Sequence, residues 1–295
     1  MSTRPTSKDE FADDFEARLI AMRPRLHRYC ARMTGSAVHG EDVLQDTLVK
    51  ALRARAEGGA EVENLEGWLY RIAHNTSLDF LRERKHSKVV PITDELEAQP
   101  MPEAYVVAIS FQTFLQLPEL PRCAVILKDV LGHSVEEIAD VAGCTAAAAK
   151  SALQRGRAAL RQLTQAPQDA RLPLLSDAER HKITTFVALF RSGDFDTLRA
   201  MLAEDVQLEL VNRLHWEGRE KITPYFTRYA AEPKWSFALG AIEGRAAMLV
   251  FDSTGPMEKP SHFVLVDWAE DRIGGIRDFL FAPYVLEAVD WVRLG

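Results

Sequence analysis

Apolar residues recur every three or four positions through the N-terminal third of the chain, a spacing that places them on one face of a helix. The pattern predicts helices over residues 11–33, 41–55 and 66–84. Pro24 is expected to kink the first helix or break it near Met22, because proline lacks the amide hydrogen that an α-helix uses at that position. The stretch 35–40 begins and ends with glycine and predicts the first loop.

A second helical pattern follows, and its capping residues define its turn. Ser134 stands three residues before Glu137, the spacing of a capping box, which predicts that a short helix begins there. Gly143 is expected to end that helix, and Thr145 to cap the next one, which continues to about Leu163. This arrangement is typical of a helix-turn-helix.

From residue 177 the pattern changes from helical to mixed. Helices are predicted over 177–192, 195–202 and 220–229. Runs that alternate apolar and polar residues between glycine or proline turns predict the strands. The predicted strands are 206–211, 235–242, 246–251, 262–268 and 273–281. Helices followed by a long antiparallel run indicate an α+β cone.

The length of the chain and the distribution of its charge indicate several domains. At 295 residues it is too long for one helical module, so the fold class is multidomain: two all-α bodies, the second a helix-turn-helix, and a C-terminal α+β cone. The net charge of −7 argues against a protein that coats nucleic acid indiscriminately, and the C-terminal third carries the largest acidic excess, with 14 basic and 19 acidic residues. The predicted divisions are 11–88 for the first helical body, 89–117 for an acidic linker and the start of the second, 118–165 for the helix-turn-helix, 166–176 for a second linker and 177–295 for the cone.

The cysteines and the hydropathy indicate a cytoplasmic protein. Cys30, Cys123 and Cys144 are an odd number, widely spaced, and form no Cys-x-x-Cys pair, so reduced thiols are expected. We expect no metal site and no cofactor, because no second pair of ligands accompanies His27 and Cys30, which fall one helical turn apart. No apolar run approaches the roughly 20 residues that span a bilayer, so no membrane association is expected.

The second helix of the helix-turn-helix carries four basic side chains and no acidic one. An anionic partner stabilises a helix charged in this way, and DNA phosphate is such a partner. The alternative is a helical hairpin with a solvated basic face. Since the N-terminal part of a recognition helix meets base edges, candidate readers lie there, and phosphate contacts lie further along. The candidate DNA-binding residues are Thr145, Ala146, Lys150, Ser151, Gln154, Arg155 and Arg157.

Two parts of the chain resemble a known family. HGEDVLQDTLVKALRA, followed by NLEGWLYRIAHNTSLDFLRERKH, is similar to region 2 of bacterial extracytoplasmic-function (ECF) sigma factors. LPELPRCAVILKDVLGHSVEEIADVAGC, followed by KSALQRGRAALRQL, is similar to their region 4. The resemblance covers about residues 11–163. It departs from the family pattern at Ala149 and Ala152, where the recognition helix usually has valine and arginine, so base-specific contacts are not carried over.

The resemblance implies a non-enzymatic protein that holds core RNA polymerase, reads double-stranded promoter DNA and traps the melted non-template strand. The surface that binds the polymerase in this family is resembled here by Asp42, Gln45 and Asp46. The apolar residues of the same helix, which include Leu52, are expected to face inward. Single-strand capture requires aromatic platforms and cations. For Trp68, core packing is an equal alternative. The candidate residues for DNA binding and melting are Asn64, Trp68, Tyr70, Arg71, His74, Asn75, Arg82, Arg84 and Lys85.

The C-terminal third resembles SnoaL-like domains, by pattern more than by motif. Such cones enclose a pocket, so a small ligand is a candidate partner. Alternation places His262 and Asp267 on opposite faces of one strand, and the sequence supplies no convincing acid–base pair. The candidate pocket residues are His215, Trp216, Asp252, His262 and Asp278.

Three functions remain open from the sequence. The favoured one is an ECF sigma factor whose fused cone modulates its activity and performs no catalysis. The second is a cone-type isomerase, cyclase or hydrolase attached to a DNA-binding module. The third is an ordinary helix-turn-helix regulator that never engages polymerase.

Overall fold

A computed structural model describes residues 7–57, 63–84, 106, 109–165, 175–255, 257–287 and 289–294, with side chains from Phe15 onward. The predicted linkers 89–117 and 166–176 lie largely outside the described residues, as does Lys85. The chain divides into two compact units, Met1–Gln168 and Asp169–Gly295. The predicted fold class is confirmed, with helices in the first unit and helices plus a sheet in the second.

Three long helices open the first unit: α1 Ser7–Thr34, α2 Ala37–Ala56 and α3 Leu65–Glu83. Pro24 lies inside α1 and does not end it. Leu26, Leu44 and Leu69 are fully buried, one from each helix, which is the core that the apolar spacing predicts.

The loop predicted over 35–40 is shorter than expected. Ser36 caps α2, since its hydroxyl accepts a hydrogen bond from the His39 amide at 3.2 Å, and the helix is already formed at Gly40. A Cβ atom on Gly40 would lie 2.6 Å from Cα of Ala31. Gly40 therefore lets α1 and α2 approach closely. The loop prediction was wrong here because the sequence alone does not distinguish a glycine required for helix packing from a glycine required for a turn.

Four further helices follow in the part of the first unit that the structure describes: α4 Phe111–Leu115, α5 Glu119–Val125, α6 Val135–Ala142 and α7 Ala146–Gln165. A π-helical turn, Ile126–Val130, continues α5. The capping box is formed as predicted, because the Ser134 hydroxyl accepts from the Glu137 amide at 3.1 Å and the Glu137 carboxylate accepts from the Ser134 amide at 2.7 Å. Gly143 ends α6 in the left-handed conformation, at φ 64°, as the αL cap requires.

The second unit packs helices against a seven-stranded sheet. Its helices are α8 Asp177–Ser192, α9 Phe195–Ala200, α10 Arg219–Ala231 and α11 Pro283–Leu286. Its strands are β1 Leu202–Leu210, β2 Leu214–Glu217, β3 Trp235–Ile242, β4 Arg245–Asp252, β5 His262–Ala269, β6 Arg272–Asp278 and β7 Trp291–Arg293.

The strand order is β2-β1-β6-β5-β4-β3-β7. Within the described sheet, only the β1–β6 pair is parallel. The strands β3 to β6 form the predicted antiparallel run, and β1 joins this run beside β6. Phe186 and Phe190 of α8 and Phe226 of α10 are buried in the core with inward residues of the sheet such as Val264. The edge strands β2 and β7 were not predicted, because runs of four and three residues are too short for alternation to identify.

In the described part of the chain, no helix has both the length and the apolar character needed to cross a lipid bilayer.

Candidate nucleic-acid interface

Helix α7 exposes one face over its first three turns. Thr145 begins it, and its hydroxyl accepts a hydrogen bond from the Ala148 amide at 3.1 Å. The predicted readers Ala146, Lys150, Ser151 and Gln154 are exposed on this face. The exposed side chains, which we call the α7 face, are Thr145, Ala146, Ala147, Lys150, Ser151 and Gln154.

Sequence reasoning missed Ala147, although it lies three residues before Lys150 and seven before Gln154, the spacing of one helical face. The positions that depart from the family pattern, Ala149 and Ala152, are fully buried. Their small side chains therefore concern the packing of α7 and not the face that meets a partner.

The two predicted arginines are less available than the α7 face. Arg157 is mostly buried and donates to both oxygens of Asp129, from Nε at 2.8 Å and from Nη2 at 2.5 Å. This bidentate pair joins α7 to the π-helical turn. Arg155 is half-buried. The guanidinium of Arg157 is therefore already paired within the first unit, and its role as a DNA contact stays a prediction.

Helix α3 carries an exposed stripe of the predicted strand-capture residues. Asn64 caps the helix, with its side-chain oxygen accepting from the Gly67 amide at 2.9 Å. Trp68 is half-buried, and Arg71 and Asn75 are exposed. These residues repeat at helical spacing. We call Asn64, Trp68, Arg71, Asn75 and Arg82 the α3 stripe.

Two of the predicted DNA-melting residues lie on the opposite, buried face of α3. Tyr70 is 0% exposed, and its ring packs edge-on against Tyr29 and against His133, at centroid distances of 5.6 and 4.8 Å. His74 is 6% exposed, and its Nδ1 lies 2.8 Å from the Tyr29 hydroxyl. Burial, with a smaller effect of Arg82, lowers the pKa of His74 to about 4. In this conformation neither ring is exposed to a base, and the role of both residues in DNA melting stays a prediction.

The basic end of α3 makes local contacts. Arg82 pairs with Asp79 at 2.8 Å, and both side chains are exposed. Arg84 lies with Nη1 2.7 Å from Nε2 of His39 and with its guanidinium carbon 4.5 Å from the centroid of Phe80.

Helix α2 presents a mixed acidic and apolar surface. Asp46 is exposed, and Asp42 and Gln45 are half-buried. Val49 and Leu52 are 44% and 42% exposed and continue the same stripe toward the C-terminus of the helix. The prediction that Leu52 faces inward is wrong, since only Leu48 and Ala51 of this last stretch reach the core. We call these five outward residues the α2 surface.

The cone holds a buried polar cluster. The Tyr229 hydroxyl donates to Asp278 Oδ2 at 2.7 Å and lies 2.7 Å from His262 Nε2. Because the hydroxyl has one proton, the hydrogen between Tyr229 and His262 belongs to Nε2. Asp278 Oδ1 accepts from the Leu280 amide at 2.9 Å, and the Tyr225 hydroxyl lies beside Asp278. We call Tyr225, Tyr229, His262 and Asp278 the cone cluster.

Burial shifts the pKa values of His262, Tyr225 and Tyr229. Desolvation lowers the pKa of His262, while Asp278 opposes that effect, and desolvation raises the pKa of both Tyr225 and Tyr229. The cluster contains the histidine–carboxylate pair that the sequence did not reveal. The two tyrosines that complete it occupy positions i and i+4 of α10, which is a signal that could have found them.

Three predicted pocket residues lie elsewhere. His215 is exposed, because alternation along β2 turns its neighbours Leu214 and Trp216 toward the core instead. Trp216 is partly buried there. Asp252 ends β4 and accepts from the Thr254 amide and hydroxyl at 2.9 and 2.5 Å, so it stabilises a turn. His215 and Asp252 therefore do not join the cone cluster.

Among the described residues, no group of three or more histidine, cysteine, aspartate or glutamate side chains could hold a metal ion.

The comparisons with known proteins concern both units. The model of sigma-70 region 2 matches residues 19–87, and the model of sigma-70 region 4 matches residues 112–160. The chain is 28% identical over 306 residues to the ECF RNA polymerase sigma factor SigG of Mycobacterium tuberculosis (strain ATCC 25618 / H37Rv), which covers 92% of this chain and 82% of that protein. It is 30% identical over 161 residues to the ECF RNA polymerase sigma factor EcfG of Rhodopseudomonas palustris (strain TIE-1), which covers 52% of this chain and 85% of that protein.

Among solved structures, the crystal structure of the Mycobacterium tuberculosis ECF sigma factor SigJ covers 90% of this chain and 95% of that one, with 19% identity and a TM-score of 0.35.

Proposed function

Since the chain belongs to the ECF family of RNA polymerase sigma factors, we propose which of its surfaces carries each step of promoter recognition. A sigma factor directs core polymerase to promoters and helps to open them, without catalysis of its own. It acts in the cytoplasm, where the polymerase and the DNA are. The steps to be assigned are binding of core polymerase, reading of duplex DNA and capture of the melted strand.

The α2 surface binds core polymerase. Asp42, Gln45 and Asp46 supply acidic and amide groups, and Val49 and Leu52 supply exposed apolar area. Interfaces between proteins combine such an apolar centre with a polar rim. The exposure of Val49 and Leu52, which has no role in the packing of α2, is the observation that supports this assignment.

Charge reversal and apolar-to-acid substitutions test the assignment. Asp46→Arg and Leu52→Asp are each expected to weaken binding of the full chain to core polymerase at least tenfold, measured by fluorescence anisotropy. Asp271→Arg, which reverses a nearly fully exposed charge on the other compact unit, is the matched control. Unchanged affinity in both test variants would refute the assignment and would favour an ordinary helix-turn-helix regulator.

The α7 face reads the promoter duplex. Its alanines allow close approach to a groove and offer methyl groups to thymine, while Ser151 and Gln154 can hydrogen-bond base edges. Lys150 contributes a phosphate contact. The absence of acidic residues from α7 supports this assignment.

The α3 stripe captures the melted non-template strand. It places an indole, two guanidinium groups and two amides along one line on a helix, the combination that stacks and hydrogen-bonds unpaired bases. Trp68→Ala and Asn75→Ala are expected to slow promoter opening, followed by permanganate footprinting, while leaving binding to core polymerase unchanged. Glu83→Ala, at the end of the same helix, is the control.

The cone modulates the sigma factor. Run-off transcription with core polymerase, comparing the full chain with a chain that ends at residue 176, is expected to differ in promoter output. Equal output at every promoter tested would dismiss the regulatory role.

A small ligand bound at the cone cluster is the second proposal. His262 and Asp278 are buried, yet the neighbouring Trp235 and Phe237 are partly exposed, and Trp235 packs edge-on against the His262 ring at 5.1 Å. Aromatic walls around a few polar groups are typical of ligand sites. Native mass spectrometry of the purified full chain and of Tyr229→Phe tests this proposal: a bound mass that the variant loses supports it, and no bound mass in either speaks against it. Turnover of such a ligand would favour the isomerase, cyclase or hydrolase alternative.

A further inference from the structure

A groove of about 420 Å³ lies in the first unit, between α3 and the end of α6. Arg71, His74 and Asn75 form its α3 wall, and residues 139–144 form the opposite wall. This volume is within the range of sites that hold small molecules. The groove adjoins both the α3 stripe and Thr145, the first residue of the α7 face, so a molecule bound in it lies beside both surfaces.

The thiol of Cys144 belongs to this groove. Cys144 is half-buried, whereas Cys30 and Cys123 are fully buried. Burial raises the pKa of the Cys30 thiol, and it raises the pKa of Cys123 to about 12, so neither forms the nucleophilic thiolate near neutral pH. Of the three cysteines, Cys144 is therefore the one that a dissolved reagent can reach.

His74 contributes a ring nitrogen that has no partner. The side chain is 6% exposed, and its Nδ1 lies 2.8 Å from the Tyr29 hydroxyl. Because that hydroxyl donates its one proton to Cys123 Sγ at 3.4 Å, the hydrogen between Tyr29 and His74 belongs to Nδ1. Nε2 therefore carries a lone pair on the groove side, and no group among the described residues hydrogen-bonds to it. A hydrogen-bond donor of a bound molecule can fill this position.

Charged groups of both signs border the groove. Arg71 donates from Nε to the Asp140 carbonyl at 3.1 Å, which fixes its guanidinium at the groove edge. Within the described part of the chain Arg71 forms no ion pair, so its remaining N–H groups are available to a carboxylate. The exposed Asp140 also lines the groove and can accept from an ammonium group. The groove thus suits a molecule that carries carboxylate, amide and ammonium groups.

We propose that Cys144 is a modification site, at which a low-molecular-weight disulfide with peptide-like charged groups binds in the groove and is transferred to the thiol. The Cys144 thiol loses its proton to water, and the thiolate attacks one sulfur of the bound disulfide. A bond forms between Cys144 Sγ and that sulfur as the S–S bond of the reagent breaks. The other half leaves as a thiolate and takes up a proton. The reagent is reduced as Cys144 is oxidised, so the exchange needs no further oxidant.

The adduct lies at the turn of the helix-turn-helix. The Cys144 amide donates to the Ala139 carbonyl at 3.0 Å, and Gly143 before it ends α6 in the left-handed conformation, so the position of Cys144 is fixed. The next residue, Thr145, begins the α7 face. A group of tripeptide size on Cys144 therefore obstructs the approach of this face to duplex DNA. This consequence rests on the assignment of duplex reading to the α7 face.

Reaction of the full chain with glutathione disulfide, followed by peptide mass spectrometry, tests the site. We expect an adduct on Cys144 and none on Cys30 or Cys123, and we expect dithiothreitol to remove it. Cys144→Ser is expected to stay unmodified. An unmodified Cys144, or equal modification of all three cysteines, would overturn the proposal.

Recognition of charge is tested by a second reagent. Arg71→Gln is expected to slow the reaction with glutathione disulfide roughly tenfold, because the groove loses its positive charge, and to leave the reaction with uncharged hydroxyethyl disulfide unchanged. Arg82→Gln, which removes an exposed charge from the same helix, is the matched control and is expected to alter neither rate. Equal slowing of both reagents in Arg71→Gln would refute recognition of a charged disulfide.

Fluorescence anisotropy with promoter duplex tests the consequence. The modified full chain is expected to bind roughly tenfold more weakly and to recover with dithiothreitol, and the reagent is expected to have no effect on Cys144→Ser. Undiminished binding of a fully modified chain would refute the regulatory consequence. Lys150→Ala separates the two possible failures: weakened binding in this variant retains the α7 face as the reading surface, and normal binding removes that assignment.

Discussion

Arg157 and Asp129 form a bidentate ion pair, with Nε and Nη2 of the guanidinium 2.8 and 2.5 Å from the two carboxylate oxygens. The pair joins α7 to the π-helical turn before the helix-turn-helix. Both side chains are largely shielded from water, at 11% and 6% exposure. The pair orients the recognition helix, and Lys150 is the basic residue that the α7 face leaves open to a partner.

Breaking this pair should cost stability and not phosphate contacts. Arg157→Gln and Asp129→Asn are each expected to lower the free energy of unfolding by about 2–4 kcal/mol, because each leaves a shielded charge without its partner. Chemical denaturation measures the change. If Arg157 were a phosphate contact, Asp129→Asn would free it and tighten DNA binding, so a gain in affinity would contradict the structural role.

Lys150 should behave as a phosphate contact. Lys150→Ala is expected to weaken binding to all DNA sequences alike and to reduce the slope of log K against log salt by about one. Lys128→Ala, which removes the same charge from the π-helical turn, is the control. A slope that is equally steep in Lys150→Ala would exclude Lys150 from the phosphate-contacting surface.

Capping residues made much of the fold predictable. The predicted Ser-x-x-Glu box at Ser134 begins its helix as the side-chain chemistry requires, and Gly143 ends it. In the second unit, Ser176 and Gly193 bound α8 in the same way. These capping motifs involve only residues close together in the chain, so they can be identified without knowledge of the tertiary structure.

The parts that the sequence could not predict depend on contacts between distant residues. Tyr70 and His74 are polar aromatic residues suited to binding DNA, but Tyr29 and His133, which bury them, lie far away in the chain. The cone cluster also depends on distant residues, since Tyr229 of α10 and Asp278 of β6 meet only when the helix packs on the sheet. Composition and spacing carry no information about such pairings.

Acid should destabilise the chain in part through His27. Burial lowers the pKa of this residue to about 4, and its Nε2 lies 2.9 Å from the Ala37 carbonyl. Because the unfolded chain binds the proton near pH 6.5, stability that is complete above that value is lost as the pH falls toward 4. His27→Gln keeps an amide donor but does not titrate, so its free energy of unfolding should fall less steeply over this range. Parallel curves for the two proteins would contradict the prediction.

Gly156 should resist replacement even by alanine, the best helix former. A Cβ atom on Gly156 would lie 2.6 Å from Cγ2 of Val125 and 2.7 Å from the backbone oxygen of Pro121, so α7 would have to move away from α5. Helix propensity favours alanine by about 1 kcal/mol, but overpacking against a backbone atom costs about 1–3 kcal/mol. Gly156→Ala is therefore expected to lower the free energy of unfolding, measured by denaturant titration. At Gly67, the control, the nearest atoms belong only to the side chain of Asn64, which caps the same helix, so Gly67→Ala should cost less than Gly156→Ala. A more stable Gly156→Ala protein would mean that α5 and α7 are packed less closely than the structure has them.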